Sequence, residues 1–366
     1  MTPRERWLAV LNRRKPDRIP MDYRATDEAT KKLMQYLGCK DIRSLFERLH
    51  IDQVIDVAPR YNGPPIHREQ GVYGCDVKYV SGLDPIIFGC GFKDVRYGAG
   101  ASAGVYSECI YHPLAKHRTL SEIKRHYRWP DPDWWDYSVI HDQIVGWEEY
   151  PIRGGGSEPF ALYRYMRGHQ QTFLDLFLHP EIVHFCLDKL FDLCYEVTKR
   201  IYEQIPGKIM LTWVAEDFGT QEGLMYSPAH IREFLIPRMK RMIDLVHHYD
   251  AFVMHHSDGA VRQIIPDMIK IGIDILDPVQ WRCEGMDREG LKRDFGEKLI
   301  FHGAMDNQYT LAFGSVEEVC QEVRDNLRIL GEGGGYILGP CHNIQVISPP
   351  ENIVAMYEEG YAEGWS

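Results

Sequence analysis

The chain has 366 residues, 44% of them hydrophobic and 12% aromatic, which is enough to bury a large core and more than one domain usually holds unless the fold is a barrel or large sandwich. Its 53 acidic residues outweigh 42 basic ones to leave a net charge of −11, so phosphate backbones and anionic membranes are repelled on average and nucleic acid is excluded as a natural partner. The nine cysteines are odd in number and form no CxxC pair, the opening MTPRERWLAVLNRRKPDRIP lacks an apolar signal core, and no run of about 18 apolar residues occurs, so a soluble cytoplasmic protein is expected.

Residues 2–13 read as a helix: Thr2 can cap it, Pro3 suits its first turn, and Trp7, Leu8, Val10 and Leu11 supply an apolar stripe. Lys15-Pro16-Asp17-Arg18 ends it, 19–23 reads as a short strand, and helices follow at 29–37 and 42–49. Residues 59–115 carry many Gly, Pro and Tyr with little periodicity and read as a long loop-rich excursion of the kind that covers a site. A capped helix is predicted at 119–127, a Pro-rich connection at 130–135 and a helix near 139–145.

In the second half, apolar runs of strand length at 209–214, 251–254, 273–276, 299–301 and 336–338 alternate with helices at 180–204, 228–248, 261–271, 287–295 and 316–330. That rhythm predicts parallel strands joined by crossover helices, which a barrel and an open doubly wound sheet satisfy equally. The polar residues decide between them. Successive runs end in Glu216 and Asp217, then His255, His256 and Asp258, then Asp277 and Gln280, then His302 and Asp306, then Cys341, His342 and Asn343. In a (β/α)8 barrel the strand C-termini converge on one mouth, where the chemistry lies, so one barrel domain over 1–366 is expected.

His256 and Asp258 point the same way in period-two geometry and could share a cation or a substrate group; alternatively His256 is a satisfied core histidine and Asp258 caps the next helix. A Cys341 thiolate beside them would complete three mixed zinc ligands with a fourth position open, although a single cysteine is more often packing. Glu216 and Asp217 are adjacent acids at a strand end, suited to general acid work, a metal or substrate, or else a polar turn. Tyr61, Tyr73, Tyr79, Phe88, Tyr97 and Tyr106 could form an aromatic lid or simply pack the excursion. There is no P-loop, strand-linked GxGxxG, HExxH or GxSxG.

Thr2-Pro3-Arg4-Glu5-Arg6 with Lys15-Pro16-Asp17-Arg18-Ile19-Pro20, Glu216 to Gln221, His256 to Gly259, Ile273 to Gln280, Leu291 to Phe295, His302 to Asp306 and Gly333 to Asn352 together resemble the uroporphyrinogen decarboxylase superfamily. The resemblance implies a (β/α)8 barrel that either decarboxylates porphyrinogens without a cofactor or moves methyl groups to and from a corrinoid using zinc. True decarboxylases cluster arginines in an Arg-Gln-Ala-Gly-Arg-Tyr element; here the stretch is Asp22-Tyr23-Arg24-Ala25-Thr26, which favours methyl transfer. The coenzyme M branch binds zinc with His-x-Cys and a later Cys. His256 and Cys341 match, but Asp258 replaces the middle Cys, a harder donor that suits an oxygen-linked methyl better than a thiol.

The expectation is therefore the methyltransferase component of a corrinoid-dependent O-demethylase, with zinc on His256, Asp258 and Cys341. Asp217, Gln280, His302 and His342 would orient substrate or handle the proton, and Glu216, Gln221, Asp306 and Tyr61 would contact a small methoxylated donor. No Asp-x-His-x-x-Gly signature occurs, so the corrinoid would arrive on a partner protein; a homodimer is left open. The alternatives are a cofactor-free lyase of a small acid, with Arg60 or Arg282 facing the pocket, a methylcobalamin-to-tetrahydrofolate or thiol methyltransferase, and a non-catalytic binding barrel.

Overall fold

Strands buried on both faces need a core on one side and a helical layer on the other, and the backbone supplies both. The computed structural model describes residues 1–64, 82–98 and 104–365. Its strands are β1 (Ile55–Val57), β2 (Arg60–Tyr61), β3 (Gly91–Tyr97), β4 (Gly104–Tyr111), β5 (Trp135–Asp136), β6 (Ile152–Ser157), β7 (Ile209–Val214), β8 (Phe252–His256), β9 (Ile275–Val279), β10 (Ile300–Met305) and β11 (Tyr336–Pro340). β1 and β6 to β11 form one parallel sheet in the order β1-β6-β7-β8-β9-β10-β11.

The segment around Met21 closes the ring. On one side it bridges β11, where Leu338 N–H donates to Pro20 and Asp22 N–H to Leu338; on the other, Asp52 N–H donates to Met21 just before β1. Eight staves result, as the sequence led us to expect. The stave at 19–23 is held by bridges rather than a full ladder.

The helix Pro3–Leu11, capped by a reciprocal Thr2–Glu5 box, plugs the barrel floor. Trp7, Val10 and Leu11 pack with Val54, Met210, Met254, Ile275, Ile300 and Ile337, which lie at or near the starts of the staves, all buried. Buried Asp52 fastens the plug, accepting from Arg6 at 2.5 Å and Arg18 at 2.7 Å while its carbonyl accepts from Trp7 Nε1. A larger apolar cluster fills the space between staves and outer helices.

Most predicted elements appear, with shifted ends. β8 to β11 run two to four residues further than the apolar runs, so His255, His256, Asp277 and His302 lie within the strands, while Asp258, Gln280, Asp306, Cys341 and His342 follow the strand ends. The predicted helix 228–248 is instead Pro228–His230, a wide π turn at Ile231–Leu235 and Ile236–His248. The excursion at 59–115 stands outside the barrel sheet and also holds an antiparallel hairpin, β3 and β4, whose exposed faces carry no alternating hydrophobicity. β6 went unseen because it reads Ile-Arg-Gly-Gly-Gly-Ser. Gly156 is required there, since its φ is +120° and a Cβ would sit 2.0 Å from the Trp213 carbonyl oxygen. Helices Pro159–Arg167 and His169–Leu178 follow it. Among the described residues no helix is long and apolar enough to cross a membrane.

Candidate active site

The register of adjacent parallel strands builds a chain of alternating acids and imidazoles. His256 on β8 pairs with Asp277 on β9, and His302 projects from neighbouring β10. Asp277, buried, accepts from His256 Nδ1 at 2.9 Å and from His302 Nδ1 at 2.5 Å. His302 Nε2 lies 3.1 Å from Asp22 Oδ2, so both its nitrogens face carboxylates and it is an imidazolium. Burial would lower its pKa, but Asp277 and Asp22 outweigh that and raise it to about 9. Burial likewise opposes Asp277 ionisation, and the two histidines overcome it, holding the carboxyl well below the ordinary range.

With Nδ1 fixed by Asp277, His256 turns Nε2 toward two further acids, 3.7 Å from Asp217 Oδ1 and 3.9 Å from Asp258 Oδ2. Asp217, His256 and Asp258 offer ligand atoms all within 4.8 Å of one another. Asp258 Oδ1 is buried with no hydrogen-bond partner. Two ligands of a tetrahedral zinc stand about 3.4 Å apart given zinc bonds near 2.0–2.1 Å, so a cation would need the acids to close on His256 by a few tenths of an ångström and on each other from a separation of up to 4.8 Å. The imidazole held by a carboxylate behind it is the usual orientation of a metal-binding histidine.

Cys341 does not join this group: its thiol donates to the Val279 carbonyl at 3.1 Å, and burial pushes its pKa well up. The group that could hold a metal is therefore His256, Asp258 and Asp217 where the sequence suggested His256, Asp258 and Cys341. Asp217, expected beside the metal as a proton handler, is a ligand candidate because its strand end meets that of β8.

Several predicted substrate contacts are occupied elsewhere. Glu216 accepts from the N–H groups of Phe160 and Ala161 at 2.6 and 3.2 Å and so caps the helix Pro159–Arg167 from the next stave. Asp306 accepts from Arg282 at 2.7 Å and from three N–H groups of its own loop. Tyr61 is buried against Trp134 and Trp135 with its hydroxyl on the Pro64 carbonyl. Arg60 pairs with Asp136 and Arg282 with Asp306, so neither serves the lyase alternative. Of the supposed aromatic lid, Tyr73, Tyr79 and the Tyr97 side chain lie outside the described residues; Phe88 is core and Tyr106 is exposed.

Two clefts reach the Asp217, His256 and Asp258 trio, through Asp217 and Asp258 respectively, and another lies beside Asp277 behind His256. One of about 440 Å³ holds Glu158, Arg164 and Asp217, and one of about 310 Å³ holds Asp22, Arg24, Asp277 and His302. Trp213 lines both, stacked on the His256 ring at 4.8 Å and flanked by the Arg24 and Arg153 guanidinium groups. A third, of about 490 Å³, opens on the far side and contains Gln221, Asp258, Gln280 and exposed His342, whose Nε2 is 3.8 Å from Asp258 Oδ2. Gln280 also accepts from Gly259 N–H at 2.6 Å, which fixes the loop carrying Asp258.

The family model described as uroporphyrinogen decarboxylase (URO-D) matches residues 140–361, more than half the chain. The chain belongs to the URO-D family. Uroporphyrinogen decarboxylases of Pseudoalteromonas translucida and Shewanella loihica are each 28% identical, over 226 and 233 residues. Those matches cover 59% of this chain and 59% of the relatives, so less than two thirds of their length is shared. A methyltransferase from Methanosarcina mazei superposes over 99% of both chains with a TM-score of 0.65 at 16% identity, which establishes a common fold.

Three site residues of this URO-D family chain escaped sequence reading. Asp22 was noted only as part of a departure from the decarboxylase arginine element, yet it ends the buried acid–imidazole chain. Glu158 and Arg164 follow β6, whose glycines hid the strand; recognising Gly-Gly-Gly-Ser-Glu-Pro as a strand end before a proline-started helix would have found them. Burial raises the Glu158 pKa, with Asp217 adding to the effect.

Proposed function

We propose that this chain is the methyltransferase component of a corrinoid-dependent O-demethylation, taking the methyl group of a small methoxylated compound and passing it to a corrinoid on a separate protein. The observation that carries the reading is the Asp217, His256 and Asp258 trio at the barrel mouth, with the orphaned Asp258 oxygen and the carboxylate behind His256. Its donors are one nitrogen and two oxygens, harder than the thiolate set of the thiol-methylating branch, which favours an oxygen-linked methyl group. The Methanosarcina mazei protein of the same fold is a methyltransferase, in keeping with this assignment.

Zinc bound there would act as a Lewis acid toward the ether oxygen. The chain's own groups do the rest. Asp277 holds His256 in one tautomer and orientation; Trp213 walls the cleft of about 440 Å³; Glu158, whose pKa burial raises, supplies a proton to the oxygen that loses its methyl group.

The test measures metal content and product together. Wild type is expected to hold close to one zinc and to convert cob(I)alamin, used as a surrogate acceptor, to methylcobalamin with a methoxylated aromatic donor; His256→Ala should lose both properties. Metal-free wild type that releases carbon dioxide from a small carboxylic acid would overturn the proposal in favour of a decarboxylase.

A further inference from the structure

We propose that the cleft of about 440 Å³ is a carboxylate site, in which Arg164 anchors the acid group of a small, flat, monoanionic substrate. That substrate class rests on the methyl-transfer reading for its methoxy group, but not for its acid.

Arg164 stands on the helix Pro159–Arg167, whose first turn is held by Glu216, and its side chain is 11% exposed. Among the described residues none of its side-chain donors makes a hydrogen bond: Nε is buried without a partner, and the nearest acid oxygen, Asp217 Oδ2, is 3.8 Å from Nη2. A guanidinium carries five donors, and leaving them unpaired away from water is costly. A carboxylate satisfies two of them in parallel. Ser157 Oγ, in the same cleft, is also buried without a partner and adds a neutral donor.

The charges around the cleft point to an ion of one negative charge. Asp56 is neutralised by Arg153, which donates to it from Nε at 2.6 Å and Nη2 at 2.8 Å. Asp217 belongs with His256 and Asp258. Burial keeps Glu158 toward its neutral form. Arg164 then has no hydrogen-bonded acid, its nearest being Asp217 at 3.8 Å, and the nearby acids make a dianion such as phosphate a poor guest. Leu83, Leu162 and Trp213 provide apolar walls for the body of the ligand, while Gly155 and Gly156 contribute no side chain. Asp217, a member of the trio, is 3.8 Å from Arg164, so a ligand held by Arg164 lies beside the candidate reacting centre.

Calorimetric titration of the purified full chain with 4-methoxybenzoate, its methyl ester and methoxybenzene tests the site. The acid is expected to bind wild type at least tenfold more tightly than either neutral compound. Arg164→Gln should bring its affinity down to theirs, and Arg164→Lys should recover part of it, with metal content measured in both variants because Arg164 adjoins Asp217. Equal affinity of acid and ester for wild type, or no binding of the acid, overturns the proposal without any variant. An acid that binds but yields no methylcobalamin upholds the carboxylate site and removes the methyl-transfer reading. Transfer from the ester at the acid's rate upholds methyl transfer and removes the carboxylate requirement.

Discussion

His302 carries a charge that the rest of the site depends on, because two buried carboxylates, Asp22 and Asp277, are tolerated around it. Its pKa is raised above the ordinary 6.5 to about 9, so its contribution is complete below pH 6.5 and disappears as pH climbs through 9. The shift is worth on the order of 3 kcal/mol. The urea midpoint of wild type should therefore fall between pH 7 and 9.5, whereas His302→Gln should be less stable at pH 7 and nearly flat over that range. A wild-type midpoint that rises with pH would contradict the charged state of His302. At this scale the sequence revealed residues such as His256 and Asp258, since a polar pair ending an apolar run marks a strand end. It could not show that Asp217 and not Cys341 turns toward them. That depends on how two neighbouring loops bend: Phe218 N–H donates to Ser257 Oγ, and the Cys341 thiol is drawn to Val279.

Glu216 links two elements, since an acid at the end of β7 caps a helix that follows β6. Glu216→Ala strands two N–H groups, for about 1–2 kcal/mol of stability by analogy with lost caps. Thermal melting should register that loss while zinc content stays at the wild-type level; loss of metal with unchanged stability would return Glu216 to the functional group where the sequence had placed it. The same coupling explains why elements were more legible than their connections. Helices such as Pro180–Gln204 and Val316–Gly331 announced themselves through a 3.6-residue stripe and their starts, whereas β6 is glycine-rich and β3 and β4 face outward, so neither carries a buried alternation to read.

At the scale of the whole molecule, the (β/α)8 plan was visible in the rhythm of the second half, but closure was not, because the stave around Met21 is joined by isolated bridges and by Asp52. Asp52→Asn would leave Arg18 buried without a carboxylate partner, while Arg6 keeps Asp17, and a loss of about 3 kcal/mol is expected from breaking such a network. Urea unfolding at neutral pH should show it as a large drop in midpoint; a change under 1 kcal/mol, the ordinary range for exposed pairs, would mean the network is dispensable. The helix this network secures has a kinetic consequence. With Trp7, Val10 and Leu11 sealing the floor, the barrel is a well with a closed bottom, and nothing passes through it from end to end. On the proposed function, spent ligand must climb out by the doorway its successor uses, so product and substrate should exclude one another and accumulated product should act as a competitive inhibitor.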